Sequence, residues 1–437
     1  MEWQITFAAI FGGLFLCMAS GMPIALAFLL LNVIGSYLLF GGLSGLDSLV
    51  MSMFSSVNSF ALLPLPLFIL MGELLFYSGI GPVLIDVLDK FMGRLPGRLA
   101  LLSVAGGVLL SVLTGVSMGS VAMLGNTLLP EMEKKGYKRT LGMGAIMGSG
   151  GLAIMIPPSG LAVLIGAVGQ ISIGKLLIAM IVPGIIMALF YAIYIVGRCW
   201  IQPSIAPVYE VSAVPFRENL TNAVRYLLPV GFIIFLVTGV IILGIATPTE
   251  AAATGTAGVF ILVAGYGRLN REVVKKSVMG TLDVVGMIFL IICGAKAFST
   301  LLSFSAVTEG LSENFLGLSP LMFLIMSQVV VLIMGCFLDP ASIMMITLPI
   351  FMPVVEELGF DAVWFGVLFL LNIEMGLLTP PFGLNLFVMR AVAPPGTTTR
   401  DIYFSAVPFL ILDALVMALL ISFPIITSGL LKLMRPF

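Results

Sequence analysis

Apolar residues fill window after window of about twenty positions along this chain, and short polar clusters punctuate them rather than alternating with them. A run of that length spans the hydrocarbon of a bilayer when coiled as an α-helix, so the pattern predicts an all-α polytopic membrane protein. Spanning helices are expected near 3–20, 23–40, 63–84, 141–168 and 176–197, and again near 226–245, 247–266, 279–302, 363–392 and 402–427. The polar stretch between these two sets is too short to bury a core of its own.

The two sets resemble each other. GLAIMIPPSGLAVLI (151–165) and EMGLLTPPFGLNLFV (374–388) lie 223 residues apart, 374 less 151. The same offset pairs Pro130 with Pro353 and Gly136 with Gly359, while nearby offsets pair Gly72 with Gly294 and Pro23 with Pro248. Residues 1–200 and 226–437 are therefore read as two repeats joined by a cytoplasmic segment, 201–225. Chance likeness between apolar helices is the alternative, and the nearly constant register of prolines and glycines argues against it.

Charge orients the halves. The segments 85–98 and 131–140 are rich in Lys and Arg, whereas their counterparts 304–320 and 354–363 carry acids and no base. Basic loops stay in the cytoplasm, so equivalent loops fall on opposite sides and the repeat is inverted, as in many secondary transporters. Both termini are then expected outside. Residues 99–130 join two cytoplasmic loops and are too short for two crossings of about 20 residues plus a turn. They predict a re-entrant hairpin with its tip at TGVSMGS (114–120); its counterpart, 321–353, would turn at GCFLDPAS (335–342). Each half then holds five spanning helices and one hairpin.

The fourth spanning helix of each half contains a tandem proline, Pro157-Pro158 and Pro380-Pro381. Proline removes a donor and clashes with the preceding turn. A simple kink is one reading; two at equivalent positions point to broken helices meeting at the midplane, with carbonyls free for Na⁺ and helix N-termini free for an anion. Asp339 at the second tip would suit a Na⁺ ligand or would cap the helix beginning at Pro340. Thr114, Ser117, Ser120, Ser159, Ser342, Thr379 and Asn385 are uncharged polar groups at the breaks, placed to hydrogen-bond an organic anion or one another across helices. Among Glu73, Glu250, Lys296, Glu374 and Arg390, structural roles are expected for all except Glu374, one turn before the second Pro-Pro step. Glu250 would cap the helix behind Pro248.

Composition narrows the function. Of 437 residues 60% are hydrophobic and 9% charged, against about 25% charged in soluble domains. Twenty basic and 21 acidic residues leave no basic patch for nucleic acid. Histidine is absent and the four cysteines are scattered, so neither a zinc site nor a disulfide framework is indicated. No Walker motif occurs, so ATP hydrolysis is not expected, and no intramembrane enzyme constellation is present. The N-terminus lacks a positive n-region, and a cleaved signal peptide is not expected. A passive channel and a proton-coupled carrier relying on Asp339 and Glu374 remain as alternatives.

TGVSMGS, ATPTEAAATG, LDP and above all TPPFGLNLFV resemble the large membrane subunit of tripartite ATP-independent periplasmic (TRAP) transporters, and the resemblance covers essentially the whole chain. It implies an elevator-type, Na⁺-driven importer in the bacterial inner membrane, served by a periplasmic binding protein that delivers a small carboxylate and braced by a small four-helix membrane subunit. It further implies one sodium site at Thr114, Gly115, Ser117, Pro157 and Pro158, and another at Gly335, Asp339, Thr379, Pro380 and Phe382, with substrate between them. The family's first tip often reads S-G-S-S, and here Val116 replaces a hydroxyl. A stand-alone Na⁺/dicarboxylate symporter, which needs no binding protein, is the nearest alternative.

Overall fold

A computed structural model describes residues 3–93, 95–114, 117–207 and 216–433. The chain opens with α1 (Trp3–Ala19), α2 (Ile24–Leu39), α3 (Leu43–Val57), α4 (Pro64–Tyr77) and α5 (Ile80–Phe91). A helical hairpin follows, α6 (Arg98–Thr114) and α7 (Ser117–Lys134), then α8 (Arg139–Met155), α9 (Gly160–Val168), α10 (Ile173–Ala179) and α11 (Ile181–Ile201). Residues 216–242 form one rod in which α12 (Phe216–Asn222), α13 (Leu228–Ile234) and α14 (Val240–Ile242) are joined by π turns. Next come α15 (Pro248–Gly265), α16 (Arg271–Phe304) and α17 (Val307–Leu316). A second hairpin, α18 (Pro320–Gly335) and α19 (Pro340–Glu357), leads to α20 (Ala362–Leu378), α21 (Leu384–Val392), α22 (Thr399–Ser422) and the short α23 (Ile425–Ser428).

Paired helices cover 98–114 with 117–134 and 320–335 with 340–357, and helix is interrupted at 156–159 and at 379–383. Three stretches depart from the expected helices. The stretch 41–62, left without a helix, contains α3, whose apolar positions recur at helical spacing among serines that dilute its hydropathy. The expected single helix 63–84 ends at Tyr77, because Gly79 takes a left-handed φ of 67°, and resumes as amphipathic α5. The expected outer loop 304–320 coils into α17. Ten crossings are not all matched by long helices: six among the described residues are long and apolar enough to cross a membrane, or seven with α8 and α9 as one bent span. The helices α1 and α2, with 17 and 16 residues, fall just short.

The centre is formed by α8 and α20. Every residue from Leu141 to Met155 is buried, as is every residue from Val363 to Leu378, as befits helices that are apolar all round. Small residues let the rods approach: Gly144 and Gly148 of α8 lie against Phe409, and Gly107 of α6 closes on Ser149. Outer helices instead expose large apolar side chains, among them Leu16, Ile193, Trp200, Ile261 and Leu282. Such a surface requires lipid or a partner.

Polar contacts tie the connecting segments to their neighbours. Arg268 donates to the carbonyls of Ser78 (3.1 Å) and Gly79 (2.6 Å), Asn219 donates to that of Lys90 (3.3 Å), and the Lys138 amide donates to Ile205 (2.8 Å). Arg139 pairs with Glu133 and reaches the Pro395 carbonyl. Elsewhere Gly310 abuts the Trp3 ring, and the Trp364 indole donates to the Leu420 carbonyl at 3.0 Å.

Where α8 crosses α20, Gly151 faces the side chain of Glu374, and a β-carbon at Gly151 would overlap that carboxylate. Gly151→Ala is therefore expected to destabilise the protein by roughly 1–3 kcal/mol through overpacking. The loss should shrink in a Glu374→Ala background. Thermal unfolding of the four members of this double-mutant cycle checks it, and additive effects would refute the contact.

Candidate functional site

The two hairpin tips and the two helix breaks converge. Ser117 opens α7 at the first tip and is buried; its hydroxyl accepts a hydrogen bond of 2.8 Å from Nδ2 of Asn385, which lies just beyond the second Pro-Pro step. The Asn385 Oδ1 is buried without a partner among the described residues. Since α7 packs on α21 and α19 packs on α9, the second arm of each hairpin lies against the outgoing half of the opposite broken helix.

Asp339 stands at the second tip as the N-cap of α19. Its Oδ2 accepts from the Ser342 amide at 3.0 Å, and the Ser342 hydroxyl donates to Oδ1. The capping reading thus holds, and the carboxylate does more than cap. It lines a cavity of about 130 Å³ together with Ser117, Gly160 just after the first break and Leu377 just before the second. The other walls, including Leu65, Phe68 and Ile288, are apolar. A charge in such surroundings is costly and usually serves binding.

Backbone supplies further acceptors. The amides that would bond the carbonyls of Ala153 and Ile154 are missing, because the fourth residues on are Pro157 and Pro158; Pro381 deprives Leu377 in the same way. Both Pro-Pro bonds are cis. Gly335 and Gly376 meet backbone to backbone, so that a β-carbon on Gly335 would sit 2.7 Å from the Gly376 Cα. Carboxylate, hydroxyl and carbonyl oxygens are the ligand types that a hard cation takes.

Not every expected residue joins this cluster. Ser159 is buried and caps α9, accepting from the Ala162 amide at 3.4 Å. Thr379 donates to the Met375 carbonyl at 2.6 Å, within its own helix. Ser120 is buried one turn into α7, and Pro157 and Pro158 are buried at the first break. Pro380 is half-buried, while Phe382 is 50% exposed and stacks on Phe387 with ring centroids 6.2 Å apart. Thr114 ends α6 without a described side chain, and Gly115 lies outside the described residues with Val116.

Of the charged residues near the apolar segments, Glu250 forms a reciprocal cap with Thr247, and Arg390 donates to the Thr399 hydroxyl. Glu374 is fully buried, and neither of its oxygens has a hydrogen-bond partner among the described residues. Two buried polar pairs went unread in the sequence. Asn372 donates to the carbonyl (2.7 Å) and side-chain oxygen (2.8 Å) of Gln328, and the Tyr191 hydroxyl donates to Asp413. Their only signal is a polar residue inside an apolar helix.

Comparison with known proteins assigns the family. Residues 11–426 match the family described as "Tripartite ATP-independent periplasmic transporter, DctM component". The "C4-dicarboxylate TRAP transporter large permease protein DctM" of Pseudomonas aeruginosa is 33% identical over 390 residues, covering 88% of this chain and 89% of its own. The "Ectoine TRAP transporter large permease protein TeaC" of Halomonas elongata is 29% identical over 409 residues, covering 92% and 94%. Among solved structures, the YdaH transporter of Alcanivorax borkumensis shares the fold, with a TM-score of 0.65 at 14% identity over 94% of this chain and 99% of that one. A chain matched to this family over nearly its whole length, with its polar tips and helix breaks gathered in one place, belongs to the DctM family, the large permease component of tripartite ATP-independent periplasmic transporters.

Proposed function

We propose that this chain is the transport subunit of a Na⁺-coupled importer of a small organic acid in the bacterial inner membrane. A periplasmic binding protein delivers the solute, and a small four-helix membrane subunit braces the exposed apolar flank. The observation that carries this reading is the meeting of the first tip with the second break, Ser117 to Asn385, beside the Asp339 carboxylate. Na⁺ would be held by Asp339 and by carbonyls near Pro157, Pro158 and Pro380. Ser117, Ser342 and Asn385 are placed for the solute carboxylate, with Ser120 behind them. Uniform affinity for both ions would not couple their movements; each must favour the state in which the other is bound.

An inverted repeat and an elevator motion belong to the same proposal. Hairpin followed by broken helix occurs twice in chain order, and the reciprocal contacts of α7 with α21 and α9 with α19 support a twofold arrangement. The cytoplasmic assignment of the basic segments 85–98 and 131–140 belongs to this proposal and rests on their charge. In the elevator both hairpins and broken helices move as one body against the remaining helices. The relatives carry the names of a C4-dicarboxylate and of ectoine, so similarity at this level does not choose the solute.

Reconstituted with its small subunit, the protein should accumulate an organic acid only when binding protein and an inward Na⁺ gradient are both present. Uptake without binding protein would instead indicate a stand-alone symporter. Asp339→Ala should raise the Na⁺ concentration needed for half-maximal uptake by at least about tenfold, the equivalent of roughly 1.4 kcal/mol; an unchanged Na⁺ response removes Asp339 from the ion site. Cysteines placed singly in 131–140 and 354–363 should label from opposite faces of oriented vesicles. Labelling from one face would end the inverted-repeat argument.

A further inference from the structure

A second, larger cavity of about 550 Å³ lies between α16 and the end of α3 on one side and α9, the turn at Gly169-Gln170 and α19 on the other. It continues from the small cavity along the same three helices. On α16 the lining passes from Ile288 to Ile292, on α9 from Leu164 to Ala167, and on α19 from Ala341 to Met345, about one turn in each case. The character of the wall changes along the way. Around the hairpin tips it is nearly all apolar, whereas the larger cavity is lined by hydroxyls.

One cation faces this space. Lys296, Ser299 and Ser303 recur at i, i+3 and i+7 on a single face of α16. Lys296 makes no ion pair among the described residues, and the hydroxyls of Ser59, Ser299 and Thr308 have no hydrogen-bond partner there. Gln170, held at a left-handed φ of 54°, adds a side-chain amide to the same wall. Glu356 is the one carboxylate among the described residues lining the cavity, and it forms no ion pair with Lys296 within 4 Å. An ammonium with unspent hydroxyl donors around it, in a space of small-molecule size, is a receptor for an anion.

We propose that this cavity is an entrance site, where Lys296 and the hydroxyls of Ser59 and Ser299 first hold the carboxylate of the solute on its way to the hairpin tips. The proposal rests on the transport reading above and adds a location that the reading does not supply. Lys296 stands eight residues beyond Ile288 on α16, about 12 Å along the helix. A solute held there is close to the tips without having reached the Asp339 carboxylate, which would repel it until a cation is bound. The outer position and lone positive charge favour anions over neutral solutes by raising their local concentration.

The test uses the full chain with its small subunit in phosphatidylcholine nanodiscs. Its four native cysteines are replaced, and a single cysteine is placed at Ser299. The negatively charged sulfonatoethyl methanethiosulfonate should react at least about fivefold faster, relative to its trimethylammonium analogue, than it does in the same protein carrying Lys296→Gln, as expected for a unit charge a few ångströms away in a partly hydrated site. Lys296→Arg should restore the preference. Millimolar succinate should slow labelling with Lys296 present and not in the Gln variant. A charge preference that survives Lys296→Gln overturns the proposal. So does protection that appears only when phosphatidylglycerol is added, which would make the occupant a lipid headgroup. Because labelling needs no transport, failure of Na⁺-driven uptake with this pattern intact would sink the transport reading and leave the anion site standing. Normal uptake without the pattern would do the reverse.

Discussion

A helix interrupted away from water leaves amides and carbonyls that only the protein can satisfy. That constraint organises the rest of this structure. The break at Pro157-Pro158 is buried at the end of α8, and the break at Pro380-Pro381 follows directly on the wholly buried α20. Glycines on α8 allow neighbouring rods close enough to exclude lipid from the freed backbone. Helices that are continuous, such as α16 and α22, lie farther out and show apolar side chains to their surroundings. Regular helix outside and broken helix inside is one solution to a single problem of hydrogen bonding.

The same constraint explains why so much of the centre was legible. A tandem proline breaks a helix whatever surrounds it, so the breaks can be located from residues alone. Hairpin tips rich in Gly, Ser and Asp announce themselves for a similar reason, and Asp339 is seen to cap its helix as its position before Pro340 indicates. What the sequence hides is decided by neighbours. Amphipathic α3 and α17 fold against other helices, and hydropathy averaged over a window cannot register a face. The pairing of Ser117 with Asn385, 268 positions apart, depends on how two hairpins and two broken helices interlock. Thr379 shows the converse: its hydroxyl is well placed by sequence and is spent on its own helix.

A binding site made this way has a weakness and a use for it. Carbonyls and hydroxyls attract a cation strongly only when several converge, so small movements of either hairpin tip change affinity steeply. The inner cavity has an apolar lining in which Asp339 is the one charged residue among the described residues, and such a lining screens a charge weakly. The second cavity differs in being larger and lined by several hydroxyls. On the proposed reading, two cavities of opposite character in series would separate the task of attracting a solute from the task of making its passage conditional on an ion.

The pair at the crossing of α8 and α20 shows how far two matching halves can stay alike. Gly151 and Glu374 occupy equivalent positions, 223 residues apart, and they are in contact. Positions that meet their own counterparts cannot both carry a large side chain, and two buried carboxylates side by side would repel each other. One half supplies the acid and the other supplies the space. Asn385 also differs from its counterpart at that offset, Ala162, and the difference supplies the amide that donates to Ser117. The Pro-Pro steps, by contrast, agree in both halves because each acts on its own backbone. In these two segments likeness is kept where a residue shapes its own helix and lost at the contact between Gly151 and Glu374.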